Sequence, residues 1–330
     1  MIEVLSSTAL STVQDLGRTG SLRWGVGTAG AMDPLALAAG NLLLGNDANA
    51  AAVEVPVFPF AVRFAEDCAF ALTGADCAAR LDDQSLLPWW AHQARAGQVL
   101  TLGPPQPAGT WRASRAYLCL AGGVDVPEVL GSRSTQLRGA FGGHDGRALR
   151  QGDLLRAAAP GTSTCPTGFG LVPPALALPL QVDGAAAMRV LPAAEYLSYQ
   201  EASRAAFWDG EWKITPQSDR YGYRLAGETL TPIRSTEMRS HGIVPGVIQV
   251  PPGGQPIIQM RDAQPSGGYP KFGTVIEADL WRLGQAPIGS RVRFIETTWD
   301  DAVAALHELQ GWLDEVRRLA GLHRWQRGRN

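Results

Sequence analysis

Apolar positions fall in short runs along most of this chain. The segments 61–64, 69–72, 99–102, 116–121, 188–191, 247–250, 256–260 and 292–295 are apolar stretches bounded by Gly, Pro or Asp. That pattern predicts strands. Three strands share one entry device: Gly97, Gly152 and Gly289 each stand two or three residues before an apolar position. Glycine supplies the positive φ such turns require. Similar units in both halves point to two related β-domains.

Two segments carry helical spacing instead. Asp33 is an N-cap and Pro34 suits the first helical position, so residues 35–44 read as a helix closed by Gly45. The second helix is predicted over 299–319, with Thr298 and Asp301 as a variant capping box. Ala302, Val303, Leu306, Leu309, Leu313, Val316 and Ala320 recur every three or four residues and form its apolar stripe. The basic tail from His323 onward reads as frayed. The uncharged stretch 157–180, rich in Pro, Gly and small residues, marks a domain boundary. The expected division is a first β subdomain over 1–157, a linker over 158–185 and a second β subdomain with the helix over 186–330.

Composition narrows the class. The 330 residues are 45% hydrophobic and 18% charged, which suits a globular chain with a sizeable core. The formal net charge of −2 gives no electrostatic reason to expect nucleic acid. With no basic, apolar leader and no run of about 18 apolar residues, a cytoplasmic chain without a membrane span is expected. Cys68, Cys77, Cys119 and Cys165 lack metal-ligand or CxxC spacing and read as buried free thiols. No metal site is expected.

Four polar clusters carry candidate chemistry. In the first, Asp15 and Arg18 either pair with each other or bracket an anion; alternatively, Asp15 satisfies turn N–H groups. Gly25, Gly27 and Gly30 follow as a weak Gly-rich loop. In the second, Arg133, Ser134 and Thr135 precede a Gly-rich turn holding Arg147. This suits a phosphate or oxyanion, or two solvated loops. In the third, Arg220 and Arg224 flank a tight turn in which Asp219 is placed to hold one arginine. The fourth, 241–269, is dense in glutamine and glycine. Alternation predicts Gln255, Ile257 and Gln259 on one strand face, with Ile258, Met260 and Asp262 on the other. Gln249, Gln259 and Gln264 add amides that offer donor and acceptor together, which suits an amide-bearing substrate; a solvated sheet face is the alternative. His241 reads as a turn histidine. No Ser/His/Asp order, HExxH helix or paired-carboxylate motif stands out.

Taken together, TVQDLGR, GAMD, YLCLAGGVDVPEVLGSRST, GGHDGRALRQGDLL, SDRYGYRL, GVIQVPPGGQPII and DAQPSGGYPKFGTVIEADLWRLGQ resemble one family. It is that of the 5-oxoprolinase C subunit, also called KipA-like or allophanate hydrolase subunit 2, with carboxyltransferase subdomains A and B. The resemblance covers about 2–294. It implies a mainly β fold with few helices: two cyclophilin-like β-barrel subdomains plus the C-terminal amphipathic helix. It implies a KipI-like B subunit and a LamB/YcsF-like A subunit as partners, with ATP-coupled cleavage of 5-oxoproline to glutamate. Under that reaction Asp262, Gln264 and Arg220 are the candidate catalytic residues. Asp15, Arg18, Arg133, Ser134, Thr135, Arg147, Gln249, Gln255 and Tyr269 are the candidate substrate or phosphate ligands. The same family moves a carboxyl group from carboxybiotin to urea. Here that would need biotin on a separate carrier, since the only lysines are Lys213 and Lys271 and neither follows Met. A third reading is a regulator that binds a KipI-like kinase inhibitor. Many relatives carry a Thr pair where this chain has Pro265 and Ser266; proline removes a backbone donor there.

Overall fold

The structure is a computed structural model describing residues 1–8, 10–107, 112–158, 167–234 and 238–327. Cys165 and linker positions 159–166 lie outside them. The chain resolves into two compact units. The first is Met1–Arg18, Ala29–Ala177 and Gln310–Asn330; the second is Thr19–Thr28 and Leu178–Leu309. Each unit is therefore discontinuous, unlike the sequential subdomains expected. Residues 19–28 cluster with the second unit, and the C-terminal helix divides between both.

The first unit holds two six-stranded antiparallel sheets. One runs Leu154–Leu155, Ile2–Ser7, Phe60–Phe64, Val99–Leu102, Arg80–Leu81, Gln84–Ser85. The other runs Phe169–Gly170, Trp90–Ala94, Cys68–Gly74, Ala116–Leu120, Ala52–Val55, Thr12–Gln14. Their facing side chains, among them Val4, Val62, Phe64, Phe70, Leu100 and Leu118, form one core. Helix Pro34–Leu44 covers the outer face of the second sheet through Leu37, Leu43, Ala69, Ala71 and Cys119. Asp33 caps it by accepting from the Ala36 N–H at 3.0 Å, and Gly45 ends it at φ 77°. Cys68, Cys77 and Cys119 are buried free thiols, and burial raises the pKa of each.

The second unit is a β-barrel. Strands Ala185–Pro192, Lys271–Val275, Val247–Gln249, Ile257–Gln259, Gly222–Ala226, Trp212–Ile214 and Arg291–Glu296 follow one another around it. A parallel pairing of Ala185–Pro192 with Arg291–Glu296 closes the ring, which removes the open edges of a flat sheet. Phe207, Phe272, Phe294 and Trp212 fill one region of its core. The entry glycines have the expected backbone, with φ of 90°, 89° and 88° at Gly97, Gly152 and Gly289.

The C-terminal helix spans Trp299–Arg327, eight residues beyond the predicted end. Its start is as expected: the Asp301 N–H donates to Thr298 Oγ1 at 3.2 Å. Its packed face keeps five of the seven predicted positions, with Ala302, Leu309 and Leu313 half-buried. Ala305, Val316 and Ala320 are buried, whereas Val303 and Leu306 are 37% and 41% exposed. Ala302, Ala305 and Leu309 pack with Ile276 and Ala278, while Trp312 meets the edge of Trp89. Within the described residues, the start of the basic tail is anchored rather than frayed. Arg324 donates to the Leu42 and Leu43 carbonyls, and the His323 ring lies 4.1 Å from that of Phe169. No helix among the described residues is long and apolar enough to cross a membrane.

Candidate functional site

In the first unit, Asp15 organises the loop of the second cluster. Its Oδ1 accepts from Ser132 Oγ at 2.7 Å, Ser134 Oγ at 2.5 Å and the Gly17 N–H at 2.8 Å; its Oδ2 accepts from the Arg133 N–H at 2.6 Å. Arg18 is fully buried. It donates to the Ser134 carbonyl at 2.7 Å and lies 4.8 Å from the Phe141 ring centre. The chain folds the Asp15–Arg18 turn onto residues 132–135, so the turn-satisfying alternative describes Asp15. Thr135 Oγ1 donates to the Val13 carbonyl at 2.9 Å. Arg147 grips Asp153 through two bonds of 2.7 and 2.8 Å, which lowers the Asp153 pKa to about 2. The donors expected to hold phosphate, Ser134, Thr135 and Arg147, are thus bonded within the protein. The Arg133 side chain stays half-exposed, 3.5 Å from Glu128.

In the second unit, Arg220 and Asp262 form a buried two-pronged ion pair, with bonds of 3.0 and 2.9 Å. The Asp262 N–H also donates to the Arg220 carbonyl at 2.9 Å. Asp219, expected to hold one of the two flanking arginines, instead accepts from the Tyr221 and Gly222 N–H groups and shapes the turn. Gln249 and Gln259 are brought together: Gln259 Nε2 donates to Gln249 Oε1 at 3.1 Å, and Gln249 Nε2 donates to the Tyr269 carbonyl at 3.3 Å.

Two glutamines do not join them. The strand is only Ile257–Gln259, so the alternation drawn through Gln255 and Asp262 does not hold. Gln255 sits in the preceding turn and holds the Gly227 N–H and carbonyl. Gln264 is exposed. The Tyr269 ring is also exposed, and only its backbone carbonyl enters the amide chain. His241 lies not in a turn but in a short strand, His241–Gly242, and its Nδ1 bonds the Arg239 carbonyl. Pro265 lacks an N–H, yet its carbonyl accepts from Ile243 at 3.0 Å beside the ribbon pairing His241–Gly242 with Ser266–Gly267.

Two buried polar networks are not foreshadowed by the sequence clusters. Glu54 accepts from Tyr117 Oη at 2.7 Å and the Met32 N–H at 2.8 Å, and Tyr117 Oη accepts from the Asp33 N–H at 2.8 Å. Burial first, then the neighbouring Glu54 and Asp33 charges, raise the Tyr117 pKa. Asp279 takes three bonds from Arg189 and one from Arg282. A charged residue inside an apolar run, as Glu54 is in AVEV, is the signal that points to such a network. A groove of about 600 Å³ lined by Arg189, Glu296, Thr297, Asp301 and Glu308 contains none of the expected site residues. Among the described residues no cluster of His, Cys, Asp or Glu is arranged to hold a metal.

Known proteins share this architecture. The 5-oxoprolinase C subunits of Escherichia coli and Haemophilus influenzae are each 41% identical to the chain. They cover 96% and 97% of it, and 97% and 98% of their own lengths. The urea amidolyase of Lachancea kluyveri is 31% identical over 91% of this chain, which spans 17% of that protein. The crystal structure of the K. lactis urea amidolyase superposes with a TM-score of 0.86 at 28% identity, over 96% of this chain and 20% of that one. The family model described as carboxyltransferase domain, subdomain A and B, matches residues 24–296. With its barrel, its sheet pair and these relatives, the chain belongs to the carboxyltransferase subdomain A and B family.

Proposed function

We propose that this chain is the C subunit of an ATP-dependent 5-oxoprolinase, which opens 5-oxoproline to glutamate together with A and B subunits. The observation that carries the reading is the 41% identity, over nearly the full length of both chains, to two proteins of that name. The barrel chemistry supports it. A lactam carries an N–H donor beside its carbonyl, and the buried amide pair of Gln249 and Gln259 supplies an amide oxygen able to accept it. The exposed Tyr269 ring adds an apolar surface for a small ring.

Opening an unstrained lactam needs an activated carbonyl, and ATP supplies that activation. The residues of this chain do not fit a nucleotide phosphate at the 131–135 loop. Asp15 already occupies the Ser132 and Ser134 hydroxyls and the Arg133 N–H, and its own charge would repel phosphate. The Arg147 guanidinium is likewise engaged by Asp153. We therefore place ATP on the partners, the KipI-like B subunit and the LamB/YcsF-like A subunit. The part of this chain is to bind and orient the lactam. Arg220 holds Asp262 in place next to the segment that leads to Gln264, Gly267 and Tyr269. The alternative, carboxyl transfer from a biotin carrier to a urea-type amide, draws on the more distant urea amidolyase similarity.

The test is ATP-dependent glutamate release from 5-oxoproline by the three chains mixed. The reading predicts that release requires this chain. Release that continues without it would refute the reading, and biotin-dependent carboxylation of urea would favour the alternative.

A further inference from the structure

Gln249 and Gln259 lie on neighbouring antiparallel strands, with Gln249 opposite Ile257. Both are nearly buried, at 3% and 8% exposed. Their amide orientations follow from one group that has no choice. The Tyr269 carbonyl only accepts, so the end of Gln249 facing it is the NH₂. That turns Gln249 Oε1 toward Gln259, where it accepts from Nε2. The second amide is fixed in turn, with one N–H of its NH₂ donated to Gln249 and its Oε1 left over. Among the described residues this oxygen accepts no hydrogen bond, and it is not among the fully enclosed polar atoms that lack one. Gly267 packs on the Gln249 amide so closely that a Cβ there would lie 2.6 Å from Nε2 and 3.0 Å from Oε1. The relay therefore presents one acceptor, on a residue more than nine-tenths buried.

We infer that Gln259 Oε1 is the specificity-determining acceptor for a substrate N–H, held in that orientation by Gln249 as a positioning residue. The ligand class is a secondary amide with a free N–H, a lactam above all; this rests on the 5-oxoprolinase reading and deepens it. A lactone of the same shape would place a ring oxygen against the Gln259 oxygen. Two acceptors facing each other away from water leave both unsatisfied, and sites built to bond an N–H reject analogues that lack it.

The experiment measures binding of 5-oxoproline, and of its lactone analogue with oxygen in place of the N–H, to the full chain by calorimetry. The native chain is expected to bind the lactone at least about tenfold more weakly. Gln259→Met is expected to weaken 5-oxoproline binding by about tenfold and to leave the lactone within about twofold, so that discrimination collapses. Gln249→Leu, which frees the Gln259 amide to flip, should reduce the discrimination ratio. A purely structural role would lower both affinities together. Equal binding of the two ligands by the native chain, equal losses for both in Gln259→Met, or no 5-oxoproline binding at all would overturn the inference. Glutamate release by the three-chain mixture reports on the enzymatic reading separately. Release that needs this chain, combined with equal lactam and lactone binding, would remove only the inference.

Discussion

Arg220 and Asp262, 42 residues apart, meet through two parallel hydrogen bonds while a third joins their backbones. The carboxylate is 1% exposed and the arginine 8%. Removing one partner from such a pair leaves the other charge buried. Arg220→Ala is expected to cost about 3–5 kcal/mol, measured by urea unfolding. Arg220→Lys keeps the charge but loses the fork, and should recover only part of that loss. Full recovery by lysine would show that the planar geometry is unimportant.

Asp15 is the acceptor around which residues 132–135 fold. Asp15→Asn places an NH₂ against hydroxyl and N–H donors and leaves at least one of them unsatisfied. A loss of roughly 2–4 kcal/mol is expected, with faster amide exchange at Arg133 and Ser134. Unchanged exchange at both residues would contradict the role given to Asp15.

Asp153 gives a pH signature. Its folded pKa of about 2 lies below the ordinary carboxylate value, chiefly because Arg147 donates two bonds to it. A depressed carboxylate contributes stability that is complete above the unfolded pKa of about 4 and is lost as pH falls toward 2. The native protein should therefore lose about 1–2 kcal/mol more between pH 5 and pH 2 than Asp153→Asn does. Parallel acid-unfolding curves for the two proteins would disprove this.

Arg324 caps the carbonyl end of helix Pro34–Leu44 from near the end of the chain. Arg324→Ala should cost about 1 kcal/mol and speed amide exchange in the last turn of the C-terminal helix more than in its first. Uniform exchange along that helix would argue against the anchor.

Local grammar made much of the fold legible. Asp33 before Pro34, Gly45 after Leu44, Thr298 with Asp301 and the three entry glycines each act within a few residues, and all sit as expected. The candidate site was less legible because its bonds are long-range. Sequence neighbours suggested Asp15 with Arg18, and Asp219 with Arg220 or Arg224. The bonds described above instead run from Asp15 to Ser134, 119 positions on, and from Arg220 to Asp262. Strand length decided the glutamines: three residues of pairing include Gln259 and leave Gln255 in a turn. The helix stripe lost Val303 and Leu306 and gained Ala305 and Trp312, whose partners periodicity alone does not reveal.

If this chain supplies the substrate-binding part of a 5-oxoprolinase, the whole assembly must depend on it. ATP-dependent glutamate release from 5-oxoproline is therefore to be measured with the A and B subunits in three mixtures: with this chain, without it, and with its Gln259→Met variant. Release is expected with the native chain, none without it, and a raised KM for 5-oxoproline with the variant. Release that is indifferent to the presence of this chain would contradict the assignment.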